Sequence, residues 1–186
     1  MKVSVIGTGN VGIAIAADLS IRGHEVTLVK TSDVKSEVYD RLIKKLGCVH
    51  LKEDGEYTTT LIHDITTGFS IVPWSDAVIV TVQSTYHEEL FKRLAPYFLK
   101  KQVVIIVCSY LSSFYIAKYC NEMPMIAEST GPYLEGRIDL NDRCDEVVFR
   151  VGCRLSNAPL SILQNNYHAE AMEIIKCLYE GFSKSY

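Results

Sequence analysis

The chain has 186 residues, of which 48% are hydrophobic, and its formal net charge is −3. This length suits a single domain that buries its core without a metal or a disulfide. No basic run suggests nucleic acid as a partner, and no apolar stretch is long enough to span a membrane. The six cysteines contain no Cys-x-x-Cys pair, which argues against a metal site and fits a cytoplasmic protein.

The first predicted element is a strand over 2–6, followed by a glycine-rich turn and an apolar helix. The turn consists of Gly7, Thr8, Gly9, Asn10, Val11 and Gly12. This G-x-G-x-x-G pattern between a buried strand and a helix is typical of dinucleotide binding. Gly7 permits a tight turn, Gly9 lets a pyrophosphate approach the backbone, and Gly12 lets the helix pack close to the strand. Because the free amides and the positive end of a helix attract phosphates, we predict that all six residues bind a dinucleotide.

The residues after the second predicted strand, Glu25–Val29, bear on the choice of cofactor. An NAD site usually places a carboxylate there, which accepts hydrogen bonds from the adenosine ribose. This chain has Lys30, Thr31 and Ser32 instead, and an ammonium with two hydroxyls suits a 2′-phosphate better than a diol. We therefore predict NADP in preference to NAD. In the alternative interpretation Lys30 points to solvent and the adenosine is held by shape. A separate alternative is that Asp33 reaches the ribose.

Shorter elements are predicted for the next part of the chain. Apolar positions at helical spacing predict a helix over 36–46, and two short strands are predicted over 48–51 and 57–62. A further short helix is expected over 65–72, where it would end before Pro73.

Two apolar runs over 76–82 and 102–108 predict parallel strands that are covered on both faces, and a shorter strand is predicted over 125–128. Ligands of open α/β sheets bind at the carboxyl ends of such strands. The residues that we expect around the nicotinamide and its ribose are Val82, Gln83, Ser84, Ser109 and Glu128. His87 lies one turn into the helix after the first run, and we predict that it is a solvated histidine.

The last part of the chain contains a predicted strand over 147–151 and a closing helix within 167–186. We find no internal repeat and no linker. We therefore predict one dinucleotide-binding domain over 1–186. Its fold is predicted to be a Rossmann fold of the α/β class, with a doubly wound, mainly parallel sheet and helices on both faces.

Taken together, these motifs resemble the amino-terminal domain of the octopine/nopaline dehydrogenase family. Glycerol-3-phosphate dehydrogenase and ketopantoate reductase are more distant relatives in the same 6-phosphogluconate dehydrogenase-like superfamily. The matching stretches are 7–12, 23–28, 77–82 with 87–88, 94–97, and 128–130 with 132–133.

The resemblance implies the NAD(P)-binding domain of an oxidoreductase that transfers hydride to or from a small keto or imino substrate. Members of the family carry a second, helical domain that supplies the substrate site and the catalytic histidine, and we expect that domain to be absent here. No catalytic residue is therefore assigned. We expect a homodimer or a partner chain to complete the site.

Three alternatives stay open at this stage. A single-domain NADP reductase that serves the deazaflavin F420 resembles this chain in residues 7–12 and in Thr31 and Ser32. A non-catalytic sensor would keep the cofactor domain without the chemistry. A methyltransferase also uses a glycine-rich first turn, but that turn rarely shows the full glycine pattern followed by Ala16.

Overall fold

The structure of the chain is a computed structural model that describes residues 1–143, 145–155, 158–179 and 182–184. Its helices are α1 (Asn10–Ile21), α2 (Glu37–Lys44), α3 (His87–Leu94), α4 (Ser113–Tyr119) and α5 (His168–Leu178). Its strands are β1 (Lys2–Ile6), β2 (Glu25–Val29), β3 (Cys48–Glu53), β4 (Glu56–Leu61), β5 (Asp64–Thr66), β6 (Ala77–Val80), β7 (Val103–Ile106), β8 (Met125–Ser129), β9 (Leu134–Asp139), β10 (Val148–Arg154), β11 (Ala158–Ile162) and β12 (Phe182–Lys184). None of the helices in the described part of the chain is long and apolar enough to cross a membrane.

A large central sheet has the strand order β12-β11-β8-β7-β6-β1-β2-β5. The strands from β8 to β5 pair in parallel, with β1 between β2 and β6. At the other edge β11 runs antiparallel to β8. The predicted α/β fold with a doubly wound, mainly parallel sheet is confirmed.

The central strands are apolar throughout because helices cover both faces of the sheet. Val3 and Val5 of β1 belong to one core cluster, together with residues of α1 and α5. Ile6, which points to the opposite face, belongs to a second cluster with residues of α3 and α4. This alternation follows from the two-residue repeat of a strand.

A second sheet, with the order β4-β3-β10-β9, packs against α1. Hydrogen bonds hold this sheet against α1. Arg154 donates to Asp18 of α1 over 2.6 Å, and the backbone N–H of Ile138 donates to Oδ1 of Asn10 over 3.0 Å. Helix α1 is therefore covered on both sides, and residues 12–19 are all buried. The sequence predicted β3 and β4 as strands but not the sheet that they join.

Two predicted elements differ from the structure. The helix expected over 65–72 is replaced by β5, which pairs with β2, and by a 3-10 turn over Phe69–Trp74. The closing helix expected within 167–186 ends at Leu178, because Tyr179 adopts an extended backbone and stacks on Tyr133 at 4.4 Å between ring centroids. Phe182–Lys184 then forms β12, while 180–181 and 185–186 lie outside the described residues.

The turn between β1 and α1 depends on two glycines. Gly7 has a φ of +118°, which a residue with a Cβ rarely adopts, and its N–H donates to the carbonyl of Val29 over 2.8 Å. A Cβ on Gly12 would overlap the carbonyl oxygen of Gly7 and lie 2.7 Å from Oγ1 of Thr81. Gly9 differs, since its φ is −80° and a Cβ there would meet no protein atom within 4 Å.

We predict that Gly12→Ala lowers the free energy of unfolding by about 1–3 kcal/mol, because the added methyl forces α1 away from β1. Gly9→Ser should change it by less than about 0.5 kcal/mol, because serine is a preferred residue at the start of a helix. Urea denaturation of the two variants and the wild type measures this difference. Equal stability of Gly12→Ala and Gly9→Ser would contradict the packing described for this turn.

Candidate dinucleotide-binding site

A cavity of about 550 Å³ lies at the carboxyl ends of β1, β2 and β6. Eight of the residues predicted to bind the cofactor line it, from the glycine turn, from the end of β2 and from the end of β6. They are Gly7, Thr8, Gly9, Lys30, Thr31, Ser32, Val82 and Gln83. The fold thus brings together residues from three separate parts of the chain.

At the glycine turn the backbone is open to this cavity. Gly9 precedes the first residue of α1, and a Cβ there would meet nothing within 4 Å. The first turn of α1, all of whose residues are described, carries no acidic side chain. Its N–H groups and the positive end of its dipole can therefore receive an anion without competition from a carboxylate of α1 itself, while Glu89 of α3 lines the same cavity.

The other three turn residues have different surroundings. Asn10 uses its side-chain oxygen to accept the hydrogen bond from Ile138 of β9, so it anchors the second sheet. Gly12 is buried below the turn against Gly7. Val11 lines a smaller neighbouring cavity.

Lys30 does not point to solvent, so that part of the alternative interpretation is wrong, whereas the choice between NADP and NAD stays a prediction. The side chain of Lys30 folds back, and only 9% of the residue is exposed. The ammonium donates to the carbonyl oxygen of Ser32 and lies 5.3 Å from the centre of the Tyr39 ring. Lys30 therefore fixes the backbone after β2 and places a positive charge in the wall of the cavity.

Two further cations line the same cavity and were not selected from the sequence. Lys35 precedes α2, and Arg93 belongs to α3, where its guanidinium lies 5.5 Å from the centre of the Phe69 ring. Both are exposed residues. The spacing of Tyr86, Leu90 and Arg93 is that of one helix face, and this spacing is the signal that would have identified Arg93.

The smaller cavity, of about 380 Å³, lies beside the first and shares Thr81, Val82 and Gln83 with it. Ser84 also lines it, as predicted for a residue near the nicotinamide, together with Cys108. Burial raises the pKa of the Cys108 thiol above its ordinary value, which favours the protonated form at neutral pH.

Ser109 and Glu128 do not line either cavity. The Oγ of Ser109 accepts from the N–H of Ser112 over 3.3 Å, and Oε1 of Glu128 accepts from the N–H of Ser113 over 2.8 Å. Both side chains therefore hold the connection between β7 and α4. Their predicted contact with the nicotinamide has no support in this geometry.

His87 was predicted to be solvated, and this prediction is wrong because the residue is fully buried. Its Nε2 lies 2.7 Å from the carbonyl oxygen of Val82, and its Nδ1 lies 2.6 Å from Oγ of Ser112. Since a carbonyl only accepts, Nε2 carries the proton and Nδ1 accepts from the serine hydroxyl. Burial lowers the pKa of His87 below its ordinary value and keeps the ring neutral.

This buried imidazole predicts a dependence of stability on pH. The unfolded chain takes up a proton at His87 below about pH 6.5, whereas the folded chain resists it, so the free energy of unfolding should fall as the pH drops below that value. Urea denaturation between about pH 5 and pH 7.5 measures the slope, which should be smaller in His87→Gln. The exposed His63→Gln serves as the control and should keep the wild-type slope; an unchanged slope in His87→Gln would contradict the prediction.

Comparison with known proteins agrees with this geometry. The sequence model of the family described as "Ketopantoate reductase PanE/ApbA" matches residues 3–108, which is more than half of the chain. No curated protein matches at a significant level.

Solved structures of dehydrogenases and reductases share the fold. Octopine dehydrogenase with NADH and L-arginine superposes with a TM-score of 0.76 at 19% identity, covering 100% of this chain and 48% of that one. Yersinopine dehydrogenase with bound NADP+ superposes with a TM-score of 0.75 at 12% identity, covering 99% of this chain and 46% of that one. A PanE/ApbA family ketopantoate reductase from Ralstonia eutropha JMP134 superposes with a TM-score of 0.69 at 16% identity, covering 100% of this chain and 56% of that one. The chain therefore spans about half the length of these proteins.

The expected resemblance to octopine dehydrogenase and ketopantoate reductase is confirmed. The residues that the family model matches include the glycine turn, β2 and β6, which together surround the large cavity. The structures of octopine dehydrogenase and yersinopine dehydrogenase contain NADH and NADP+, respectively, and the present chain belongs to the ketopantoate reductase PanE/ApbA family.

Proposed function

We propose that this chain binds NADP(H) for an oxidoreductase that transfers hydride to or from a small keto or imino substrate. The observation that carries this proposal is the large cavity, which is lined both by the open backbone of Gly9 and by the cationic side chains of Lys30, Lys35 and Arg93. A helix end that attracts anions, with three cations against the carboxylate of Glu89, gives this cavity the excess of positive charge that suits a dinucleotide with an additional phosphate.

In this proposal the amides at the start of α1 donate to the pyrophosphate, and Gly9 leaves the space that its oxygens need. The adenosine end meets the hydroxyls of Thr31 and Ser32. Lys35 and Arg93 supply the charges that select the 2′-phosphate of NADP over the ribose diol of NAD. Lys30 holds the carbonyl of Ser32 in place and adds positive charge.

The smaller cavity is the proposed place of the nicotinamide, which when bound supplies or accepts the hydride. Val82, Gln83 and Ser84 would orient it, and Val11 and Val107 give part of the wall an apolar surface that excludes water. The described residues that line this cavity include no carboxylate, imidazole or cation. We therefore assign no catalytic acid or base to the described part of this chain.

The substrate class is inferred from chemistry seen in relatives. Solved structures of octopine dehydrogenase contain L-arginine or pyruvate, an amine and a keto acid. This supports a keto or imino substrate for the present chain, with a partner chain supplying the groups that bind it.

A homodimer stays a prediction. The apolar residues of α5 are buried in the core and are not available for an interface. Exposed apolar side chains occur beside the smaller cavity, at Tyr110, Leu111 and Phe114. That surface is where a partner would contribute to the site.

The first prediction from this proposal concerns the cofactor itself. In calorimetric titrations we expect the protein to bind NADPH about tenfold more tightly than NADH, because only NADPH has a phosphate for the extra cations. Gly9→Glu should abolish binding of both cofactors, since it places a carboxylate where the pyrophosphate lies.

The control for this substitution is Gly131→Glu, because a Cβ on Gly131 also meets nothing within 4 Å and the residue lines neither cavity. Tighter binding of NADH would overturn the predicted preference for NADP. Binding of neither cofactor by the wild type, or binding of S-adenosylmethionine in their place, would overturn the proposed function. If the protein binds NADPH but no keto or imino compound oxidises the bound NADPH, the result would favour a sensor.

The second prediction concerns the cations that select the cofactor. Lys35→Gln and Arg93→Gln should each weaken the binding of NADPH by roughly tenfold and that of NADH by less than about twofold. The reason is that a charge-assisted hydrogen bond to the 2′-phosphate is lost. Lys92→Gln removes an equal charge from α3 at a residue that lines neither cavity and should leave both affinities unchanged. Equal losses for NADPH and NADH would show that the two cations do not select between them.

A further inference from the structure

A chain of hydrogen bonds joins the carboxyl ends of β6, β7 and β8. His87 bonds to the carbonyl of Val82 after β6 and to the hydroxyl of Ser112 after β7. The N–H of Ser112 donates to Oγ of Ser109, and the N–H of Ser109 donates over 3.0 Å to the carbonyl of Ser129 at the end of β8. His87 is the member of this chain that connects the first strand end to the other two.

Burial makes these bonds hard to replace. His87 is 0% exposed and Ser112 is 2% exposed, and the imidazole packs edge-on against Phe91 at 5.5 Å between ring centroids. Water therefore has no access to the ring. Loss of the bond to Ser112 would leave a buried hydroxyl without its partner, which is costly, and loss of the bond to Val82 would remove the donor from a half-buried carbonyl.

The segments that His87 connects form the wall of the smaller cavity. Val82 lines both cavities, and Cys108 and Tyr110 come from the connection after β7. That connection is held in an unusual shape, since Cys108 has a φ of +55° and Leu111 a φ of +61°. Non-glycine residues in this region persist only when their surroundings determine the backbone, and Ser112 directly follows Leu111.

We propose that His87 is a positioning residue for the nicotinamide end of the cofactor. It does not line either cavity, and it acts through the Val82 carbonyl and the Ser112 hydroxyl, whose positions set the distance between the two walls of the smaller cavity. This inference rests on the proposed function. It assigns to a buried histidine of the cofactor domain a role in holding the reactive ring rather than the adenosine.

Three substitutions separate the two bonds. The amide nitrogen of His87→Gln lies where Nε2 lies and can still donate to Val82. The amide oxygen of His87→Asn lies near the position of Nδ1 and can still accept from Ser112. His87→Phe fills the space and makes neither bond. The exposed His63→Gln is the control.

The readout compares two ligands by calorimetry, NADPH and 2′,5′-ADP, which lacks the nicotinamide. We expect His87→Phe to weaken the binding of NADPH by roughly tenfold or more and that of 2′,5′-ADP by less than about twofold, because only the nicotinamide end depends on His87. In His87→Phe the change in nicotinamide fluorescence that accompanies binding of NADPH should also be lost. His87→Gln should recover most of the affinity if the Val82 bond dominates, and His87→Asn if the Ser112 bond dominates.

Equal losses for NADPH and 2′,5′-ADP would overturn the proposal, because His87 would then be a structural residue alone. Full affinity for NADPH in all three variants would also overturn it. If His87→Phe does not fold, His87→Gln and His87→Asn decide by the same comparison. A wild-type protein that binds neither ligand would contradict the proposed function itself, an outcome distinct from a wild type that binds NADPH with variants that are unaffected.

Discussion

The close contact between the start of α1 and the turn after β1 is the constraint on which the rest of the site depends. No side chain fits between Gly12 and the carbonyl of Gly7, and Thr81 at the end of β6 packs against both glycines. Three elements therefore meet at one point beneath the turn. Above that point the backbone of Gly9 is open, so the free amides of α1 face the cavity. The proposed anion site depends on this asymmetry, because the protein fills one side of the turn and leaves the other side empty.

Two sets of polar contacts make the surroundings of this turn rigid. On one side the second sheet is fastened to α1 through the buried carboxylate of Asp18, which is paired with Arg22 at 2.7 Å and with Arg154 at 2.6 Å. Two guanidinium groups compensate the cost of burying that charge. On the other side, the bonds of His87 tie together the strand ends near the smaller cavity. The two sides of the turn are thus held by separate parts of the chain.

The sequence predicted the parts of this arrangement that are local. The strand, glycine turn and helix over residues 2–21 follow from spacing alone, as do the apolar strands β6 and β7. The second sheet could not be predicted, because β3 pairs in parallel with the distant β10. The burial of His87 was not predicted for the same reason, because it depends on Ser112, which lies in the connection between β7 and α4. Lys30 lines the same cavity as the glycine turn, but the fold of its side chain onto Ser32 is a matter of local packing that composition does not specify.

The glycine turn, the end of β2 and the end of β6 are proposed to form one cofactor site. Backbone amide NMR of the isotope-labelled protein, titrated with NADPH, tests whether they do. We expect the largest shifts at 7–12, 30–36 and 82–84, with one common dissociation constant. Shifts confined to other surfaces, or different constants for the three segments, would contradict this proposal.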